Sequence, residues 1–315
     1  MKFRMEKQLK WKDEELETLS KNYPVMGYKV VELFPDRTKT SVIRKAEWLG
    51  LRKAEWSLPE VEEHDPGLLR NTLSFKEPVA LVLFGDIHVS PYTNETKYYE
   101  WIKWLSENET AQHRGREYLI RVIGMGDYLE NGLPSSIGMS IWRQQYTPQQ
   151  QKEIIIRDFE KFKDKIIGLH AGNHEDRTFK SVGMEPVRDI CKALNVKQYG
   201  YGTFSYLKVG KNNYSIYTWH GKSGAQFEYT KLNACIKTGM AVDADVVGMG
   251  HVHHRASANR SVMTANGVKS KYFVLSGHFL RWTNTYAQQT GLTLGKDGAS
   301  VIFLNNERWD IDVEA

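Results

Sequence analysis

Five short apolar runs between residues 79 and 253 each end in a polar side chain suited to metal binding or proton transfer. VALVLFG runs into Asp86-Ile87-His88, YLIRVIGMG into Asp127, and KIIGLHAG into Asn173-His174-Glu175. YSIYTW runs into His220-Gly221, and ADVVGMG into His251-Val252-His253. Continuous apolar runs of this length bounded by glycine predict buried strands. A polar residue just past such a strand sits where open α/β sheets place their sites.

Between these runs the pattern changes period. ETKYYEWIKWLSENE predicts an amphipathic helix burying Tyr99, Ile102 and Leu105, and QQKEIIIRDFEKFKDK, MEPVRDICKALNV and AQFEYTKLNACIKTGMA predict three more. YGYGTFSYLKVGKNNYSIYTWHG predicts a hairpin turning at Lys211-Asn212-Asn213, with further hairpins in SVMTANGVKSKYFVLSGHF and GASVIFLNNERWDIDVE. These hairpins add a second sheet. The Gly/Ser/Pro-rich stretch after Asp127, with Trp142, Arg143 and Tyr146, predicts a rim loop beside the strand ends.

The first 56 residues follow another plan. Trp11, Leu16, Leu19 and Tyr23 lie near helical spacing behind an acidic first turn, GYKVVELF predicts a shorter helix ending before Pro35, and Thr38 or Thr40 caps a third that stops at Gly50. Residues 57–77, with Pro59, Pro66 and Gly67, read as a linker, and 78–315 as the main domain. Three short helices with a tight second turn make a helix-turn-helix pattern.

Carboxylate, imidazole and carboxamide ligands suit divalent cations such as Mn, Fe, Zn, Ni or Co, and the lack of cysteine among them disfavours a thiolate site. Asp86, His88, Asp127, Asn173, His220, His251 and His253 are too many for one ion with ligands at ~2.0–2.2 Å. Two ions ~3.5–4 Å apart, sharing one carboxylate, accommodate them.

The order D-x-H, G-D, G-N-H-[DE], H, G-H-x-H resembles the calcineurin-like metallophosphoesterase superfamily over residues 79–305. The resemblance implies an α/β fold, a four-layer αββα sandwich, preceded here by the small three-helix domain. It implies that Asp86, His88 and His253 hold one metal, that Asn173, His220 and His251 hold the other, and that Asp127 bridges them. Two divalent cations are expected, Mn foremost, with Fe, Zn, Ni, Co or Mg as alternatives. His174 is the residue that contacts the scissile phosphate and stabilises charge or protonates the leaving oxygen in this family. The family often places an orienting acid three residues after the bridging Asp; Glu130, one methylene longer than the common Asp, stands there. Arg177 and Arg281 are candidate phosphate contacts, while His170, His254 and His278 lie outside the ligand pattern.

The N-terminal wording W-x-x-E-E…R-T-x-x-S-V-x-x-K-A-x-x-L-G-L resembles Myb/SANT-like modules of phage and bacterial DNA-binding proteins. Arg37, Lys39, Arg44, Lys45, Arg52 and Lys53 against a single Glu47 give the charge bias of a helix meeting phosphates, with Thr40 and Ser41 as further DNA contacts. DNA is the favoured partner of this module; a protein partner is the alternative.

Composition changes this picture little. A net charge of +5 over 315 residues agrees with a polyanionic partner, and 26% charged residues argue against wholesale disorder. Cys191 and Cys235 read as buried thiols of a reducing compartment. No apolar run reaches the ~18 residues of a membrane span, so a cytoplasmic protein of a bacterium or phage-infected cell is expected, with a homodimer left open. The leading expectation is a DNA-directed nuclease or phosphodiesterase of phage or prophage type. The alternatives are a phosphatase or nucleotide phosphodiesterase recruited by a protein partner, and a DNA-binding regulator with a secondary enzyme domain, disfavoured because every ligand position is filled.

Overall fold

The computed structural model describes residues 10–51, 70–90, 92–134, 136, 144–264, 267–283, 285, 287, 288, 291, 293 and 295–315. The chain forms two compact units, Met1–His64 and Asp65–Ala315.

In the first unit α1 (Asp13–Met26) is followed by a 3₁₀ segment (Gly27–Leu33) and α2 (Lys39–Trp48). The sequence predicts a short helix for the middle segment, and it is of the 3₁₀ kind. Gly27 breaks α1 at φ 55, and only seven residues remain before Phe34-Pro35, so a tighter, shorter turn forms instead. Thr38 caps α2 by accepting from Ser41 N at 3.2 Å. Leu19, Tyr23, Val30, Phe34, Val42 and Ala46 form the core of the unit.

Twelve strands of the second unit join in one curled mixed sheet. Its first half runs β1 (Arg70–Phe75), β6 (Gly202–Val209), β7 (Asn212–Trp219), β8 (Val246–Met249) and β10 (Gly267–His278), with β9 (Arg255–Thr264) on β10. The second half runs β11 (Gly298–Leu304), β2 (Val79–Phe84), β4 (Arg116–Gly124) and β3 (Thr110–His113), with β12 (Ile311–Glu314) on β11 and β5 (Ile166–Leu169) on β4. The halves meet through two antiparallel pairs, Gly277 with Ala299 and His278 with Gly298.

Alternation along β2 explains its unbroken apolar run. Ala80, Val82 and Phe84 pack with α3 (Glu95–Glu107), α4 (Pro148–Phe159) and, beyond the short α5 (Glu175–Val182), α6 (Pro186–Leu194), whereas Val79, Leu81 and Leu83 pack with β6, β7, β8 and β10 of the other half. On the far side Val247, Met249, Phe273 and Leu275 bury against α7 (Glu228–Gly239). Both cysteines are buried and unpaired. No helix among the described residues is long and apolar enough to cross a membrane.

Three local expectations are corrected. Residues 70–75 fall in the expected linker but form β1, paired in parallel with β6; alternating Leu73 and Phe75 pack on the inter-half core. In α3 it is Tyr98, not Tyr99, that is buried, because 98, 102 and 105 share one face and the Tyr98 hydroxyl reaches Asp158 at 3.2 Å. The β6–β7 hairpin turns at Gly210-Lys211, where Gly210 supplies φ 57, and Asn212 and Asn213 already belong to β7. Trp142 and Arg143 lie outside the described residues, as do Arg52 and Lys53.

Candidate metal centre

Strands β2, β4 and β5 run parallel in one half and β7 and β8 in the other, so their C-terminal ends can carry side chains to one place. The loops there are strained. Asp86, His88, Asp127, Asn131, His251 and His253 all adopt positive φ between 50 and 68. For non-glycine residues each costs on the order of 1 kcal/mol or more and persists only where the surroundings over-determine it.

Three groups result, one of them His88, Glu130 and His174, and Asp127 stands between the other two. Asp86, His88 and His253 offer mutually close ligand atoms, as do Asp127, His220 and His251. Asn173 Oδ1 joins the second group at 3.1 Å from His220 Nε2. Asp127 Oδ2 lies 3.8 Å from His88 Nε2 and 3.3 Å from His220 Nε2. His88 and His253 face each other through Nε2 atoms 3.1 Å apart. Asp86 Oδ1 is buried with no hydrogen-bond partner, although His253 Nε2 lies 3.4 Å away. Two imidazole nitrogens this close to each other, beside an orphaned carboxylate oxygen, fit a cation as their common partner.

Outer contacts fix these groups. His220 Nδ1–H donates to Met125 O at 2.7 Å, which leaves Nε2 pointing inward. Asp86 Oδ2 accepts from His251 N at 3.0 Å, and Asp127 Oδ1 accepts from His174 N at 2.8 Å. Buried Glu175 carries no sequence signal beyond the motif itself, yet its carboxylate accepts from Asp127 N (3.0 Å), Leu129 N (2.9 Å) and Gly172 N (2.8 Å). It staples the loop after β4 to the loop after β5. The loops are so close that a Cβ on Gly126, itself at φ 87, would lie 2.6 Å from Gly172 N.

Glu130 does not orient His174 as expected. Its carboxylate is nearer His88 Nδ1 (3.3 Å) than His174 Nδ1 (3.7 Å), and it is the main-chain carbonyl of Glu130 that accepts from His174 Nδ1 at 2.8 Å. The extra methylene carries the carboxylate past His174 to the histidine of the first group. Arg177 caps the other side of the ring: Nη2 donates to His174 Nε2 at 2.9 Å and Nη1 to Glu130 O at 2.9 Å.

Electrostatics follow from burial and from Asp127. Burial lowers His88 to about 3 and His174 to about 4, so both rings are neutral. Burial also opposes charge on His220, but Asp127 overcomes it and raises the ring to about 10. Asp127 is held well below the usual carboxylate range, burial being outweighed by His220, His174 and His88. Burial, and then Asp127, raise Glu175 to about 7.

The remaining candidates are placed as follows. His170 spends both nitrogens on Gly200 O (2.8 Å) and Thr218 Oγ1 (2.9 Å), and His254 faces Glu228 at 3.4 Å. His278 packs beside His253, ring centroids 6.1 Å apart. Arg281 is exposed and lines a cavity with Trp282. In the N-terminal unit Arg37 is corrected: it binds both oxygens of Glu15 at 2.7 Å and stacks over Trp11 at 3.9 Å, so its fork is consumed inside the fold. Lys39, Thr40 and Arg44 are exposed, Ser41 is half-buried, and Lys45 lies over Trp48 at 3.9 Å.

No protein-family model matches the chain, and a search of curated proteins finds no match. Among solved structures it is similar to a metallophosphoesterase from Sphaerobacter thermophilus (13% identity, 75% of this chain and 86% of that one, TM-score 0.35). It is also similar to vacuolar protein sorting 29 from Cryptosporidium parvum (12%, 76% and 98%, TM-score 0.34). A third is a predicted phosphoesterase from Streptococcus pneumoniae TIGR4 (10%, 75% and 88%, TM-score 0.32).

Proposed function

We propose that the second unit is a metal-dependent phosphoesterase using two divalent cations. One observation carries this reading: two largely buried groups of ligand atoms, drawn from five strand ends, lie on either side of Asp127, whose Oδ2 is 3.8 Å from His88 Nε2 and 3.3 Å from His220 Nε2. Asp86, His88 and His253 would hold one cation and Asn173, His220 and His251 the other, Mn being favoured by the mixed oxygen and nitrogen donors. The helices on both outer faces of the curled sheet agree with the αββα sandwich of such enzymes.

Two divalent cations supply positive charge for phosphoryl oxygens and lower the pKa of a water enough to make it a nucleophile. The protein residues do the rest. Asp127 and Glu130 set the spacing and ring orientation of the histidines, and strained loops hold them without reorganisation. His174, neutral and hydrogen-bonded through Nδ1–H to Glu130 O, presents Nε2 toward the site, where Arg177 now occupies it. On substrate binding Arg177 exchanges His174 for a phosphate oxygen, for which its planar fork is suited, and frees Nε2, which takes up a proton from the nucleophilic water or from solvent before passing it to the leaving oxygen.

Within that class we infer a phosphodiester of DNA as substrate. The helical unit supports this with Lys39, Thr40 and Arg44 exposed on α2, and two units on one chain raise local concentration at a shared target. The assay is hydrolysis of bis(p-nitrophenyl) phosphate and of 5′-labelled single-stranded DNA with Mn. Both should be cleaved, and His174→Ala should abolish cleavage with metal content unchanged; cleavage of the small ester alone removes the DNA reading. Lys39→Glu with Arg44→Glu should weaken DNA binding and reduce the salt slope by about one for each phosphate no longer neutralised. An unchanged slope favours a protein partner for the helical unit.

A further inference from the structure

A cavity of about 720 Å³ opens beside the first ligand group, lined by His278, Leu280, Arg281, Trp282, Thr293 and Lys296 among others. Pockets of roughly 300–1,000 Å³ are the size that takes a small organic ligand. Its near wall is His278, whose ring stands 6.1 Å from that of His253. Leu280 N donates to His278 Nδ1 at 3.1 Å and His278 Nε2–H donates to Gly295 O at 3.1 Å, so both ring nitrogens are engaged. His278 is therefore a partition between the ligand cluster and the cavity rather than a further ligand.

The cavity is also tied to the cluster by main chain. Phe279 N donates to Asp86 O at 3.0 Å, Arg281 N to Tyr92 O at 2.9 Å and Gly295 N to His253 O at 3.2 Å. On the far side Thr293 O accepts from buried Lys231 Nζ at 2.8 Å, and Thr293 Oγ1 donates to Gln226 O at 2.6 Å. The cavity wall is thus fixed relative to the candidate metal centre.

The lining chemistry is selective. Arg281 and Lys296 bring two positive charges, and the acid present, Asp297, accepts from Asn94 Nδ2 at 3.0 Å. Trp282, 45% exposed, is the aromatic side chain of the lining. Cations beside a half-exposed indole suit a ligand that is anionic at one end and a flat aromatic at the other.

We propose that this cavity is a subsite for one nucleotide unit. Its base stacks on Trp282, its phosphate contacts Arg281 and Lys296, and the adjoining ester lies at the cluster beyond His278. The proposal rests on the phosphoesterase reading for the last clause only. The nucleotide unit could belong to a free nucleotide ester or to a single-stranded DNA end.

Calorimetric binding to the Mn-loaded full chain carrying His174→Ala, the variant expected to keep its metal and cleave nothing, tests this without turnover, using thymidine 5′-monophosphate, deoxyribose 5-phosphate and a short oligothymidylate. Trp282→Ala should weaken thymidine monophosphate about tenfold, as loss of one stacked base does. It should leave deoxyribose 5-phosphate within twofold, and Trp282→Phe should recover most of the loss. Arg281→Ala with Lys296→Ala should weaken both. An equal loss for the oligothymidylate assigns the subsite to a DNA end, and a loss confined to the mononucleotide assigns it to a free nucleotide. Equal effects of Trp282→Ala with and without the base, or none at all, overturn the subsite. Trp282-dependent binding in a protein that hydrolyses no phosphoester would keep the subsite and remove the phosphoesterase reading instead.

Discussion

A single methyl group placed on Gly172 should disable the centre. An alanine Cβ there would lie 2.1 Å from Asp127 Oδ1, 2.4 Å from Asp127 N and 2.7 Å from Asp127 Cγ. The backbone at Gly172 does not have positive φ, so the obstacle is space and not conformation. To reach even a tight carbon–oxygen contact the carboxylate must retreat by about 1 Å. It cannot do so freely, because Oδ1 accepts from His174 N and Asp127 N donates to Glu175. Overpacking of this kind costs about 1–3 kcal/mol of stability, which a well-folded domain survives. A misplacement of about 1 Å at a reacting centre, by contrast, costs on the order of 100-fold in rate. Gly172→Ala should therefore melt a few degrees lower, bind Mn more weakly and lose at least ~100-fold in kcat/KM. Gly224→Ala, with nothing within 4 Å of its added methyl, is the control and should be neutral. Wild-type Mn affinity and turnover in Gly172→Ala would refute the placement of Asp127 between the two groups.

Three further perturbations follow. Cation binding should expel the proton that Asp127 holds on His220 at about 10. Calorimetry in buffers of different ionisation enthalpy should then count about one proton released at pH 7, with affinity rising roughly tenfold per pH unit toward pH 9; no release would count against the pairing. The sign in the cation-free protein is the reverse: the raised His220 pKa adds stability that is complete below about pH 6.5 and is lost as pH rises through about 10. Glu175→Ala leaves the buried N–H groups of Asp127, Leu129 and Gly172 without an acceptor. It should cost about 3 kcal/mol or more in urea unfolding, whereas a change under about 0.5 kcal/mol, the size of an ordinary surface substitution, would show that the loops hold without it. Arg177→Ala should lower kcat/KM at least about tenfold with metal content unchanged, and Arg177→Lys should not restore it because a point charge lacks the fork; full rescue by lysine would contradict the exchange proposed for Arg177.

The ligand cluster was legible because each contributing residue follows an apolar run closed by glycine or tryptophan, a pattern set by burial on both faces of a strand. What escaped lacked any such pattern. β1 presents only Leu73 and Phe75 to the core, too short an alternation to outweigh its polar neighbours. Arg37 reads as a surface cation, yet Glu15, 22 positions earlier, captures it, a pairing that depends on how two helices cross. The orienting group on His174 is the main chain of Glu130, and main-chain carbonyls have no residue-type signature. Glu175 was visible as a letter of the motif, but its three acceptor contacts exist only once two loops approach. The joining of the two half-sheets rests on the four residues Gly277, His278, Gly298 and Ala299, far too few to leave a periodicity.

The most direct measurement of the central claim is an anomalous difference map from crystals of the Mn-loaded protein. It should show two peaks ~3.5–4 Å apart, one among Asp86, His88 and His253, the other among Asn173, His220 and His251, with Asp127 touching both. A single peak, or peaks away from Asp127, would contradict it.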